Sequence, residues 1–173
     1  MSLVVCIATL IPAVAFAQAS SPLAEAFRNN AGTSGKNLTA AAELMPADKY
    51  GFKPTPAQMS FGDIVVHLIQ GNDYLCGVIG GTKAPARTKI AATNSKDALV
   101  ARLKETFQFC DQALANLDDS KLGEQLPVFG RNMTRAASEV LTVGDWADHY
   151  SQVAIYLRLN GLLPPTAKPA AKP

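Results

Sequence analysis

The chain has 173 residues, enough for one domain with a sizeable core, and its 48% hydrophobic and 17% charged residues are the balance of an ordinary globular protein. Sixteen Lys and Arg against fourteen Asp and Glu leave a formal charge of only +2. The basic residues are scattered and form no stripe, which excludes DNA and RNA as expected partners.

The first residues, MSLVVCIATLIPAVAFAQASS, carry no charge and are apolar from Leu3 to Ala17, with small-x-small patterns at Ala15 to Ala17 and Ala17 to Ala19. They read as a secretory signal peptide over residues 1–19, cleaved after Ala17 or Ala19, although the usual basic n-region is missing. The apolar run is short of the roughly 20 residues that a membrane span needs, so no stable membrane association is expected after its removal. A periplasmic or secreted protein follows. Cys6 leaves with the signal, and the remaining pair, Cys76 and Cys110, invites a disulfide in an oxidising compartment.

Four segments have helical periodicity and no stretch sustains period-two alternation, so the predicted class is all-α. The first helix runs from Pro22 to about Leu44, with Pro22 suited to the first turn; Gly32 and Gly35 predict a kink or a split in its middle. The second begins after Ser60, where Asp63 three residues on suggests a capping box, and stops at Gly80 and Gly81. Ile64, His67, Leu68, Gly71 and Leu75 recur at spacings of three and four, which places His67 on the inward stripe. The third starts at Ser95 and aligns Leu99, Leu103, Phe107, Cys110, Leu114 and Leu117 on one face. After a loop, DDSKLGEQLPVFGRN, the fourth runs from about Met133 or Ser138 to Asn160, with Gly161 as its cap.

Four such helices bury their apolar faces together as a bundle. The bundle occupies residues 20–165, and residues 166–173, rich in Pro, Ala and Lys, form a disordered tail. The stretch from Thr82 to Asn94 is long enough to cross the end of the bundle. Two arrangements of helices 2 and 3 are therefore open. In an antiparallel hairpin Cys76 and Cys110 would differ in height by about 15 Å, at 1.5 Å per residue, too far for a disulfide whose Cα atoms must lie within about 7 Å. In a parallel pair joined by a crossover they would be level.

Asp145 and His149 stand one helical turn apart on the fourth helix, and His67 is the only other histidine. Two imidazoles and a carboxylate from two helices would make a three-ligand site with open positions, suited to Zn²⁺, Ni²⁺, Mn²⁺ or Fe²⁺. Spacing alone favours a plainer arrangement, an exposed Asp/His helix pair plus a hydrogen-bonded core histidine. Asp63 and Asp148 are weighed as further ligands or orienting groups. Capping explains the first better, and solvation the second.

The stretches MPADKYGFKPTPAQMSFGDIVVHLIQGNDYLC, LKETFQFCDQAL and DHYSQVAIYLRLNGLLPP together resemble the DinB family of DinB/YfiT-like metalloenzymes, over residues 22–165, and within it the exported bacterial proteins. The resemblance implies a four-helix bundle with a crossover between helices 2 and 3, commonly dimeric, holding a divalent metal through three histidines. His67 and His149 match two of those positions. Asp145 stands at the third, so the expected ligand set is His67, Asp145 and His149. The implied crossover brings Cys76 and Cys110 level, as a disulfide needs, the alternative being two buried thiols. The implied chemistry is metal-dependent thiol transfer or hydrolysis on a small molecule. The other reading is a non-catalytic dimeric binding or structural module whose metal site is degenerate.

Overall fold

The computed structural model describes residues 21–167. The expected signal peptide and its cleavage points lie outside the described residues, as does the tail from residue 168 on. Within them are four long helices, α1 (Pro22–Leu44), α2 (Phe61–Gly80), α3 (Lys96–Leu114) and α4 (Arg135–Leu159), and two short strands, β1 (Gln125–Val128) and β2 (Arg131–Thr134).

The helix starts follow local chemistry. Ser60 accepts from the Asp63 backbone while Asp63 accepts from the Ser60 backbone, a complete capping box, and α2 stops at Gly81 in the left-handed conformation. Ser95 and Thr134 cap α3 and α4 with their hydroxyl oxygens. The split allowed for in α1 does not occur, and the helix runs unbroken through both glycines. Gly32 is spanned at its modest helical cost, and Gly35 is needed where it stands, because a Cβ there would sit 2.9 Å from the Phe107 ring.

The bundle is held by four seams: α1 and α2 each pack on both α3 and α4. Between α2 and α3 the paired positions keep a constant offset. Asn72 meets Thr106, and Cys76 is bonded to Cys110 with Cα atoms 5.1 Å apart. A constant offset means parallel helices, so the segment between them crosses the bundle as the resemblance implied. Arg87 fastens this crossover by pairing with Asp73 of α2 and Glu105 of α3. Helices α2 and α4 run antiparallel, with His67 opposite His149 and the Tyr156 hydroxyl donating to the carbonyl of Met59 near the start of α2. The predicted face of α3, from Leu99 to Leu117, is buried throughout.

The segment between α3 and α4, expected to be loop, contains a hairpin, with Gln125 opposite Thr134 and Val128 opposite Arg131. Phe129 and Gly130 form its two-residue turn, both with positive φ, 48° and 75°. Four-residue strands are too short to show alternation, and only the glycine is an ordinary residue for such a turn. Leu126 and Val128 point inward. Among the described residues no helix is long and apolar enough to cross a membrane. The first two residues assigned to the tail are in view: the Thr166 backbone donates to the Tyr150 hydroxyl.

Candidate metal centre

The site is built on the seam between α2 and α4. Trp146 fixes that seam. Its ring is 1% exposed, stacks on Phe27 at 5.9 Å, lies 5.9 Å from Phe107, and donates from Nε1 to Asn72 Oδ1 at 2.8 Å. The Asn72 amide donates in turn to Thr106 Oγ1. With Trp146 anchored to α2, the residue before it and the residue three after it, Asp145 and His149, are turned toward His67.

The three side chains converge. Asp145 Oδ1 lies 3.4 Å from His67 Nε2 and 3.4 Å from His149 Nε2, the two imidazole rings are 4.5 Å apart, and one ligand atom from each residue falls within 4.8 Å of the others. They differ in depth, since side-chain exposure is 46% for His67, 26% for Asp145 and 10% for His149. His67 is thus not on the inward stripe. Ile64, Leu68 and Leu75 are buried as predicted, but His67 sits on the flank of that face, at the mouth of the site. A histidine on the flank keeps its ring within reach of solvent.

Burial pushes the Asp145 carboxyl up, but hydrogen bonding and charge from His149, and then from His67, outweigh it and hold the group below its ordinary range. The hydrogen bond to Asp145 raises His149 above its ordinary value, against the opposing effect of burial. Among the described residues His149 Nδ1 is buried and unpartnered, and Asp145 faces the opposite nitrogen at 3.4 Å.

The donor set fits a divalent cation. Two imidazole nitrogens and a carboxylate oxygen suit Zn²⁺ and its first-row neighbours, and the two separations from Asp145 Oδ1, 3.4 Å each, match the edge of a tetrahedron with bonds of about 2.1 Å. Contacts of 3.4 Å are long for hydrogen bonds. The Asp145 carboxylate in place of a third imidazole adds negative charge, which favours harder ions and moderates the Lewis acidity of the site.

The other candidates fall away from the site. Asp63 is occupied by the α2 cap, which holds its carboxyl below the usual range. Asp148 is exposed and accepts from Gln152. Sequence reasoning missed Asn72, a polar residue on a buried face that reads like any other mid-helix asparagine. It also missed Tyr74 and Phe129, which stand over the site. An aromatic immediately before a turn glycine was the signal for Phe129.

Residues 33–153 match the sequence profile of the DinB superfamily. The chain belongs to the DinB superfamily. A search of curated protein sequences finds no match. Among solved structures, a DinB-like protein from Bacillus cereus superposes with a TM-score of 0.69 at 16% identity, covering 83% of this chain and 97% of its own. A DinB-like protein from Bacillus subtilis gives 0.64 at 21% identity, covering 79% and 92%. A DinB-family protein from Exiguobacterium sibiricum gives 0.61 at 16%, covering 88% and 99%. At these identities the likeness establishes the DinB fold, and the chemistry of the site rests on its own residues.

Proposed function

We propose that this DinB-superfamily protein holds one divalent metal through His67, Asp145 and His149 and uses it for thiol transfer or hydrolysis on a small molecule. The observation that carries the reading is the single oxygen of Asp145 placed 3.4 Å from both Nε2 atoms. When bound, a divalent cation lowers the pKa of a coordinated thiol or water and so provides a nucleophile at neutral pH. The protein's own part is positional. Trp146 and Asn72 set the rotation of α4, Asp145 supplies the negative charge that offsets the cation, and His67 at the mouth leaves one side open to a reactant.

Action outside the cytoplasm is part of the proposal. Its support is the uncharged apolar run from Leu3 to Ala17 together with the Cys76–Cys110 disulfide, a bond that persists in oxidising compartments. A homodimer is proposed from family resemblance.

Metal analysis of the purified protein after supplementation with Zn²⁺, Ni²⁺ and Mn²⁺ tests the reading. About one equivalent of bound metal is expected, with a rise in melting temperature that His67→Ala and Asp145→Ala reduce or abolish. Absence of metal and of any thermal shift with all three ions would leave a bundle without this chemistry.

A further inference from the structure

Resting on that reading of the metal centre, we infer that the cleft beside His67 and Asp145 receives a neutral ligand with an aromatic or flat apolar ring, gripped by Phe129 and Tyr74. The cleft has a volume of about 320 Å³. His67 and Asp145 line one side, Leu75 and Leu141 add apolar surface, and Tyr74 with the hairpin-tip Phe129 forms an aromatic wall. This volume lies within the usual range for small-molecule sites.

Phe129 violates two local rules at once. A bulky residue occupies a left-handed backbone position, φ 48°, where glycine or asparagine is favoured, and its ring is 59% exposed. Neither the turn nor the core gains from a phenylalanine there, and strained backbone of this kind gathers at functional sites. The tip is nevertheless held in place. The Phe129 backbone donates to the Tyr74 hydroxyl at 2.8 Å, that hydroxyl donates to the Pro127 carbonyl, and the two rings lie 4.9 Å apart with planes inclined by 30°. The result is a preformed aromatic surface facing the metal donors across a small cavity, the arrangement that accepts another ring by stacking.

Charge narrows the ligand class. Among the described residues no Lys or Arg lines the cleft, and the one acid there, Asp145, lies between the two imidazoles. Beyond the metal itself, phosphates and other polyanions therefore find no counter-charge on the walls that would hold the rest of the ligand. A neutral ring bearing an oxygen or sulfur donor group fits, with the donor group toward the metal residues and the ring against Phe129.

The test titrates the Zn²⁺-loaded protein with benzohydroxamate and acetohydroxamate, which share a chelating group and differ by the ring. Benzohydroxamate is expected to bind at least about tenfold more tightly. Phe129→Gly should remove that advantage while leaving zinc affinity unchanged and thermal stability equal or higher, since glycine suits the turn. Phe129→Tyr should keep it. Equal affinities for the two hydroxamates, or an advantage that survives Phe129→Gly, would overturn the inference. A readout without metal separates this proposal from the metal reading. Benzyl alcohol should shift the ring resonances of Phe129 and Tyr74 in the metal-free protein, and failure to do so counts against the aromatic wall even if zinc binds. If zinc does not bind, the proposed function falls and these shifts alone decide the cleft.

Discussion

Helix α2 presents two seams with opposite character. Toward α3 it is tied covalently and by a buried hydrogen bond: Cys76 is joined to Cys110, and the Asn72 amide donates to Thr106. Toward α4, Asn72 accepts from Trp146, but five residues earlier along α2 the imidazoles of His67 and His149 meet Asp145 at distances too long for good hydrogen bonds, with His149 Nδ1 buried and unpartnered among the described residues. Buried polar groups in a fold are normally satisfied. Each seam has one exception among the described residues: Asp73 Oδ1 near α3, in a carboxylate already paired with Arg87, and His149 Nδ1 near α4. The other nitrogen of that His149 ring converges with His67 on Asp145, at long contact distances that leave these groups free to take a different partner.

The largest test removes the covalent part of the first seam. Cys76→Ala combined with Cys110→Ala should lower unfolding free energy by about 4 kcal/mol in urea titration, the value for a crosslink closing a loop of this length. A loss below about 1 kcal/mol would show that packing alone holds α2 to α3. Next, Asn72→Ala strands the indole N–H of Trp146 in the core and should cost about 3 kcal/mol. Because Asn72 joins both seams, metal affinity should fall in the same variant although no ligand has changed. Undiminished affinity would break the link between the anchor and the site.

Asp145→Ala probes the second seam. In the metal-free protein it should shift stability by less than about 1 kcal/mol, because the contacts are long and partly exposed. Zinc at a hundred times its dissociation constant should stabilise the parent by about 2.7 kcal/mol and the variant by far less. A large cost without metal would instead make the triad a structural cluster.

The smallest effect acts on both seams equally. Asp63→Asn weakens the α2 cap and should cost about 1 kcal/mol near neutral pH. The Asp63 carboxyl is lowered in the folded state, chiefly by the Ser60 hydroxyl, so its contribution is present above the unfolded value near about 3.9 and is lost as pH falls through the folded value. The difference between parent and variant should therefore shrink on acidification, as read by urea unfolding from neutral to strongly acidic pH.

Much of this architecture is legible in the residues. Ser60 with Asp63, Ser95, and Gly80 with Gly81 mark helix ends by chemistry that operates within a few residues, and the apolar face of α3 follows from spacing alone. The direction of α3 relative to α2 is a long-range property, and Cys76 and Cys110 could be paired only through family resemblance. The same holds for the site, since Asp145 and His149 are neighbours by helical geometry but nothing local brings His67 to them. The hairpin escaped because its strands are shorter than the window in which alternation can be seen. The exposure of His67 escaped because a stripe read from spacing does not distinguish its centre from its edge.

The disulfide closes a covalent ring from Cys76 through the crossover to Cys110, and Arg87 ties that ring to both helices. Sliding of α3 along α2 is thereby blocked, so these two helices behave as one rigid stator. The donors of the candidate site therefore stand on unequal supports: His67 is carried by an element locked into the ring, while Asp145 and His149 are carried by α4, which is joined to it by packing and hydrogen bonds alone.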